Sequence, residues 1–232
     1  DSAVDRIVPN QINEDKLMVQ VESFYEWLVD ETKIVGEIPS INGITYVPDL
    51  VPYIERKLFT VNTGHALGAY LGYLFGMKTI NQAMENQQVS KLVEGALKES
   101  GELLVQKYGF NSEEHTAYIR KIISRFQNPL IVDEVTRVGR SPIRKLNPKD
   151  RLISPARQYL DVVGGEPAFL LKGIAAAFLY DFSRDEEAVQ IQNDIFEVGL
   201  EKTIEKYTTL PSTSLLFKGI VEQYHQLKNK KL

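Results

Sequence analysis

Apolar and polar residues change rhythm near residue 50. Before it, β-branched residues gather in short runs at 4–8, 17–21 and 44–47, bounded by Pro9, Pro39, Asn42-Gly43 and Pro48. Such runs predict strands or extended arms. Residues 22–31, with Phe24, Trp27 and Leu28, fit a strand or a helix. From about Pro52 the period is helical. Val89, Leu92, Val93, Ala96, Leu97, Leu103 and Leu104 share one face and stop at Tyr108-Gly109. Ser112 opens a helix that turns Tyr118, Ile119 and Ile122 inward and runs to Phe126, ahead of the breaker Pro129. Ser154-Pro155 reads as an N-cap with proline at the first helical position. Residues 167–182 are apolar on nearly every side and predict a central helix, while 185–207 and 213–228 look amphipathic. The basic tail at 228–231 should be solvated and frayed. The expected fold is therefore mainly α, with a short β-containing segment at 1–50 and a helical domain at 51–232.

One helix stands apart. Residues 58–77 form a run of 20 without a formal charge, long enough to span a bilayer. Thr60, Asn62, Thr63 and His65 interrupt it, and no second such run exists. A buried helix of a soluble domain is the expected state. Gly64, Gly68, Gly72 and Gly76 recur every fourth position. Each costs roughly 1 kcal/mol relative to alanine inside a helix, so a neighbour or a ligand must approach closely.

Composition narrows the possibilities. With 43% hydrophobic and 25% charged residues, the chain is an ordinary globular one. A net charge of −4 disfavours general nucleic-acid binding. The absence of cysteine removes disulfides and thiolate metal sites and is compatible with a reducing cytoplasm, the expected location. His65, His115 and His225 are the only histidines, so a histidine-rich zinc site is not expected.

Candidate chemistry sits at the head of the charge-free run. If 57–76 is α-helical, Lys57, His65 and Asn62 lie at about 0°, 80° and 140° around the axis. A desolvated lysine can accept a proton near neutral pH. An asparagine amide can donate to a carbonyl or alkoxide oxygen, and a neutral histidine can orient a hydroxyl. Together they suit interconversion of an alcohol and a ketone. The plainer reading is a solvated lysine and a core histidine. Residues 137–151 are a second candidate: Arg137, Arg140, Arg144, Lys145, Lys149 and Arg151 stand against Asp150 alone, a net +5. Pro142, Pro148 and Gly139 make the segment loop-like. It reads either as a solvated loop or as a phosphate site. No aromatic residues interleave as they would in a nucleic-acid surface.

Lys57, Asn62 and His65, within the string Ile54-Glu55-Arg56-Lys57-Leu58-Phe59-Thr60-Val61-Asn62-Thr63-Gly64-His65-Ala66, resemble the signature of the polyol-specific long-chain dehydrogenases. Lys107-Tyr108-Gly109-Phe110, Arg125-Phe126-Gln127-Asn128-Pro129, Arg137-Val138-Gly139-Arg140, Arg144-Lys145-Leu146 and Asp150-Arg151-Leu152-Ile153 resemble the branch that acts on phosphorylated polyols. The likeness runs from Val4-Asp5-Arg6-Ile7-Val8-Pro9 to the C-terminal helices. It implies a multi-helical substrate domain like the C-terminal domain of 6-phosphogluconate dehydrogenase. It implies reversible, metal-independent hydride transfer between mannitol 1-phosphate with NAD and fructose 6-phosphate with NADH. Lys57 would be the general base, Asn62 would hold the reacting oxygen and His65 would position the hydroxyl. Arg137 and Lys145 would contact substrate, with Arg140 and Arg144 as candidates for its phosphate. Asp5 would lie near the active site, on the cofactor side. Some relatives carry a glutamate where this chain has Ile54 beside Glu55, so a gating glutamate is in doubt.

The sequence lacks the G-x-G-x-x-G fingerprint, and Gly164-Gly165 has no strand before it. The expectation is a C-terminal part of a longer enzyme, partnered by its own N-terminal Rossmann domain and by neither nucleic acid nor membrane. The rivals are a tagaturonate or fructuronate reductase of the same family, and a non-catalytic helical interaction domain that docks partners on the glycine ridge.

Overall fold

In a computed structural model, residues 1–9, 11 and 13–230 are described. Lys231, part of the expected basic tail, lies outside them. The N-terminal segment forms a three-stranded sheet from β1 (Ser2–Asp5), β2 (Glu26–Asp30) and β3 (Thr45–Val47). β2 is central, antiparallel to β1 (Val4 opposite Trp27) and parallel to β3 (Leu28 opposite Thr45). Leu28 and Val47 turn inward with Leu50 as a small core against Ala3 and Tyr53. Residues 17–21 join no strand. Their apolar side chains, Leu17 above all, lie exposed, so nothing rewards pairing them.

The helices follow as α1 (Val51–Arg56), a π-helical turn (Lys57–Asn62), α2 (Thr63–Leu74), α3 (Ile80–Glu85) and α4 (Gln87–Tyr108). Next come α5 (Ser112–Phe126), α6 (Val135–Gly139), α7 (Pro142–Lys145) and α8 (Ile153–Val162). The chain closes with α9 (Ala168–Phe178), α10 (Glu186–Val198), α11 (Leu200–Thr208) and α12 (Leu215–Lys230). Side-chain caps set several starts. The Asn86 carboxamide accepts from the Gln88 and Val89 amides, Asn111 from those of Glu113 and Glu114, and Asp185 from that of Ala188. Asn111 thus caps α5 one residue before Ser112. α4 stops at Gly109 in the left-handed region, φ 69°.

Five expectations are corrected. Residues 57–76 are not one α-helix: they begin with the π turn, and Gly76 (φ 76°) lies past the end of α2 in a left-handed turn. Ser154 and Pro155 lie inside α8, which already starts at Ile153. α9 ends at Phe178, and Gly199 splits 185–207 into α10 and α11. The basic segment is not an open loop but carries α6 and α7.

α9 is the centre of the helical body, packed against α2, α4 and α12, and its Ala175, Ala176 and Ala177 are buried. Small residues let backbones close in. A Cβ on Gly173 would stand 1.9 Å from Leu67 Cδ2. On α2, a Cβ on Gly64 would meet Phe126 and Leu97, and one on Gly72 would meet Ala83 at 2.6 Å. Packed neighbours account for these two ridge glycines. No helix among the described residues is long and apolar enough to cross a membrane.

Candidate active site

The π turn settles where the reactive groups point. The Thr63 amide donates to the Leu58 carbonyl five residues back. Phe59, Thr60 and Val61 fill the buried side, leaving Lys57 and Asn62 half-buried. A step of i→i+5 sets Asn62 about one turn above Lys57, rather than ~140° round the axis as an α-helix would. The Thr63 hydroxyl lies 3.0 Å from the Leu58 carbonyl oxygen and 2.7 Å from that of Arg151. It therefore ties the turn to the end of the basic segment.

Lys57, Asn62 and His65 open into one cavity of about 240 Å³. Asp5, Arg137, Arg140, Arg144 and Lys145 line the same cavity, so every residue to which the resemblance gave a site role borders it, whereas Lys149 of the basic segment does not. The Lys57 ammonium has no hydrogen-bond or ion-pair partner among the described residues, while its backbone amide donates to the Ile54 and Tyr53 carbonyls. The His65 ring stacks on Phe126, with centroids 5.1 Å apart and planes at 13°. Its Nε2 lies 3.4 Å from Asp133 Oδ2. Burial, reinforced by Arg137, Lys145 and Arg151, pushes the imidazole pKa down to about 3, although 22% of the side-chain surface stays open. His65 is thus neutral, and its contact with Asp133 is an orienting one rather than an ion pair. Burial also raises the Asp133 carboxyl, against the pull of Arg137.

A second part of the lining is cationic and held from behind. Asp185 and Glu187, at the start of α10, accept the backbone amides of Ser141, Ile143 and Arg144. These bonds fix α7 despite the left-handed Ser141 (φ 56°). The cations then divide. The Arg137 Nε and Nη2 atoms pair with Asp133 at 2.7 and 3.4 Å, and Nη2 also donates to the Val8 carbonyl. Arg151 pairs with Asp150 at 2.7 Å. Lys145 is buried and donates to the Arg140 carbonyl. Burial, with Arg151 and Arg144 nearby, lowers its amine to about 7. Arg140 and Arg144 are exposed at the rim and have no side-chain partner among the described residues.

Asp5 is engaged differently. It is buried, and both carboxylate oxygens accept from Arg125. Beside the main cavity, a second one of about 310 Å³ shares Lys57 and Asn62 and is walled by Ser2, Ala3, Val4, Ile54 and Leu58. Sequence reasoning missed Asp133 as a site residue. Its position four residues before Arg137 is an ion-pair spacing that a helical reading of the segment would have raised. Arg151 was counted as charge but not as a cavity wall.

Comparison with known proteins places these features in a lineage. The family description "Mannitol dehydrogenase C-terminal domain" matches residues 49–228, and "Mannitol dehydrogenase Rossmann domain" matches residues 1–43. The mannitol-1-phosphate 5-dehydrogenase of Oceanobacillus iheyensis is 53% identical over 231 residues, 100% of this chain and 60% of the relative. That of Anoxybacillus flavithermus is 59% identical over 210 residues, 90% of this chain and 55% of the relative. The chain therefore spans about 60% or less of these relatives' length. Among solved structures, the Pseudomonas fluorescens mannitol 2-dehydrogenase, in ternary complex with NAD and D-mannitol, superposes with a TM-score of 0.78 at 19% identity. The match covers 99% of this chain and 52% of that one. A substrate-free D-sorbitol dehydrogenase gives the same TM-score at 18% identity, so the fold is shared well beyond close relatives. A match to the C-terminal domain over most of its length makes this chain a member of the mannitol dehydrogenase family.

Proposed function

We propose that this chain forms the substrate side of an NAD-dependent polyol-phosphate dehydrogenase interconverting mannitol 1-phosphate and fructose 6-phosphate. Residues 51–232 form the substrate domain and 1–50 join it to a nucleotide-binding domain. The observation that carries the reading is the division of the cavity. One wall offers an unpaired lysine with a carboxamide and a neutral imidazole. The other ends in two arginines with no side-chain partner. The first is the equipment for taking a proton from a hydroxyl, and the second for holding a phosphate.

Lys57 Nζ accepts the proton of the reacting hydroxyl, and the Asn62 amide donates to the oxygen as charge develops on it. His65, kept neutral and held by Asp133 and Phe126, fixes a neighbouring hydroxyl. Arg140 and Arg144 take the phosphate, while Lys145 and the remaining guanidinium nitrogen of Arg137 add positive field. The second cavity would take the nicotinamide end of NAD, because Ala3, Val4, Ile54 and Leu58 line it with apolar side chains and Lys57 and Asn62 open into both cavities. When bound there, NAD supplies the hydride acceptor. The phosphorylated substrate and the cysteine-free chain suit a cytoplasmic enzyme. The test is steady-state turnover by the full-length protein, oxidising mannitol 1-phosphate or mannitol with NAD and, in the reverse direction, reducing fructose 6-phosphate or fructuronate with NADH. Turnover of the phosphorylated polyol, insensitive to chelator, is expected. A preference for fructuronate would move the assignment to a sugar-acid reductase.

A further inference from the structure

The Arg125-Phe126 pair at the end of α5 borders the site without lining its cavity. Arg125 is buried together with Asp5 and Glu22, each no more than 6% exposed. Its guanidinium makes two forks. Nη1 and Nη2 donate to Asp5 at 3.0 and 3.1 Å. Nε and Nη2 donate to Glu22 at 2.9 and 2.5 Å. Phe24 covers the guanidinium, with its ring centroid 4.3 Å away. The surplus negative charge is met by other donors: the Ile7 amide to Glu22 and, at 3.3 Å, the Tyr118 hydroxyl to Asp5. Burial alone would lower the guanidinium pKa, but the two carboxylates hold it above its ordinary value.

The cluster crosses a boundary. Asp5 and Glu22 lie in the stretch matching the Rossmann-domain description, and Arg125 lies in the stretch matching the C-terminal one. What it holds is residues 5–8, which line the same cavity as Lys57. From there the Val8 carbonyl receives Arg137 at 3.1 Å, Arg137 holds Asp133, and Asp133 faces His65. The next residue, Phe126, stacks on the same imidazole.

We infer that Arg125 is a positioning residue. Its two forks clamp residues 5–8 at the cavity and so set the spacing between that part of the lining and the Lys57–Asn62–His65 wall. The inference rests on the dehydrogenase reading for its kinetic consequence but not for its structural one. Removing Arg125 alone leaves two buried carboxylates unpaired and threatens folding. The decisive variant therefore neutralises the whole cluster: Asp5→Asn, Glu22→Gln and Arg125→Met together, in the full-length protein. With all three charges removed together no buried charge is left uncompensated, and the amides keep acceptors for the Ile7 and Tyr118 donors. The expected result is a cooperatively melting protein with faster hydrogen exchange at the Ile7 and Val8 amides. Its kcat with mannitol 1-phosphate should fall by about 10²-fold, the cost of misplacing reacting groups by around 1 Å. Arg125→Lys keeps the charge but loses the forks, so it should lose kcat by a smaller factor while KM changes little. An unchanged kcat in either variant would overturn the inference and leave the cluster a purely structural one. If the parent protein does not turn over mannitol 1-phosphate, the dehydrogenase reading fails instead. Exchange then judges the clamp alone, and undiminished protection of residues 5–8 in the neutral variant overturns it.

Discussion

The two walls of the cavity are built by different means. The wall with Lys57, Asn62 and His65 is fixed by backbone geometry and apolar packing. A π turn aims the first two, and Phe126 stacks on the third. The wall from Asp133 to Arg151 is fixed by electrostatics: acids pin α7 from behind, and ion pairs occupy Arg137 and Arg151. The first keeps its chemistry unpaired but screened by neighbours. The second spends most of its charge on itself and leaves two arginines at the rim. A wall set by packing should respond to changes of shape, and one set by charge to changes of charge and pH.

The largest expected effect tests the first wall. Lys57→Ala should lower kcat by at least about 10²-fold, as loss of a general base does. Added small amines should restore part of it in steady-state assays of the full-length protein. Near-normal turnover would move the base elsewhere, with Lys145 the next candidate.

On the cationic wall, Arg140→Ala or Arg144→Ala should reduce kcat/KM for mannitol 1-phosphate by about 10- to 150-fold. That is the worth of a charge-assisted contact of roughly 1.5–3 kcal/mol. Unphosphorylated mannitol should barely change, and lysine replacements should rescue in part because the planar fork is lost. Equal losses on both substrates would assign the arginines to the fold.

A smaller effect follows from Lys145. With its amine lowered to about 7, the side chain is charged below that pH and increasingly neutral above it. A bound anion favours the charged form, so binding takes up a proton above pH 7 and affinity falls as pH rises. Sulfate, whose charge is constant over this range, should bind up to about tenfold more weakly per pH unit there by calorimetry. Lys145→Met should flatten the dependence. A flat profile in the parent would mean that the amine stays charged.

The smallest effect returns to shape. Gly64→Ala puts a methyl group 3.0 Å from Phe126 and 3.1 Å from Leu97. Overpacking of this size should cost about 1 kcal/mol, seen as a lower melting temperature. Because Phe126 stacks on His65, kcat should fall slightly with it. A stability loss with no kinetic change would separate the ridge from the site.

The sequence by itself determined the class of fold, because the helical period and the Gly109 stop are local signals carried by single elements. It also marked Lys57, Asn62, His65 and the basic segment, since costly groups at fixed spacing are legible without coordinates. Only the tertiary structure decided how those groups meet. No local propensity distinguishes six residues of π helix from α, so the 100° rule could place Lys57, Asn62 and His65 only within one half of the surroundings. The basic segment read as a loop because Pro142 and Gly139 are breakers in isolation, whereas Asp185 and Glu187, more than 40 residues on, supply the acceptors that fix α7. Which cations remain unpaired is likewise a question about partners, and partners such as Asp133 for Arg137, or Asp5 and Glu22 for Arg125, are chosen by how the chain packs. Long-range pairing and burial set the electrostatics of this site, and neither is written in the spacing of residues along the chain.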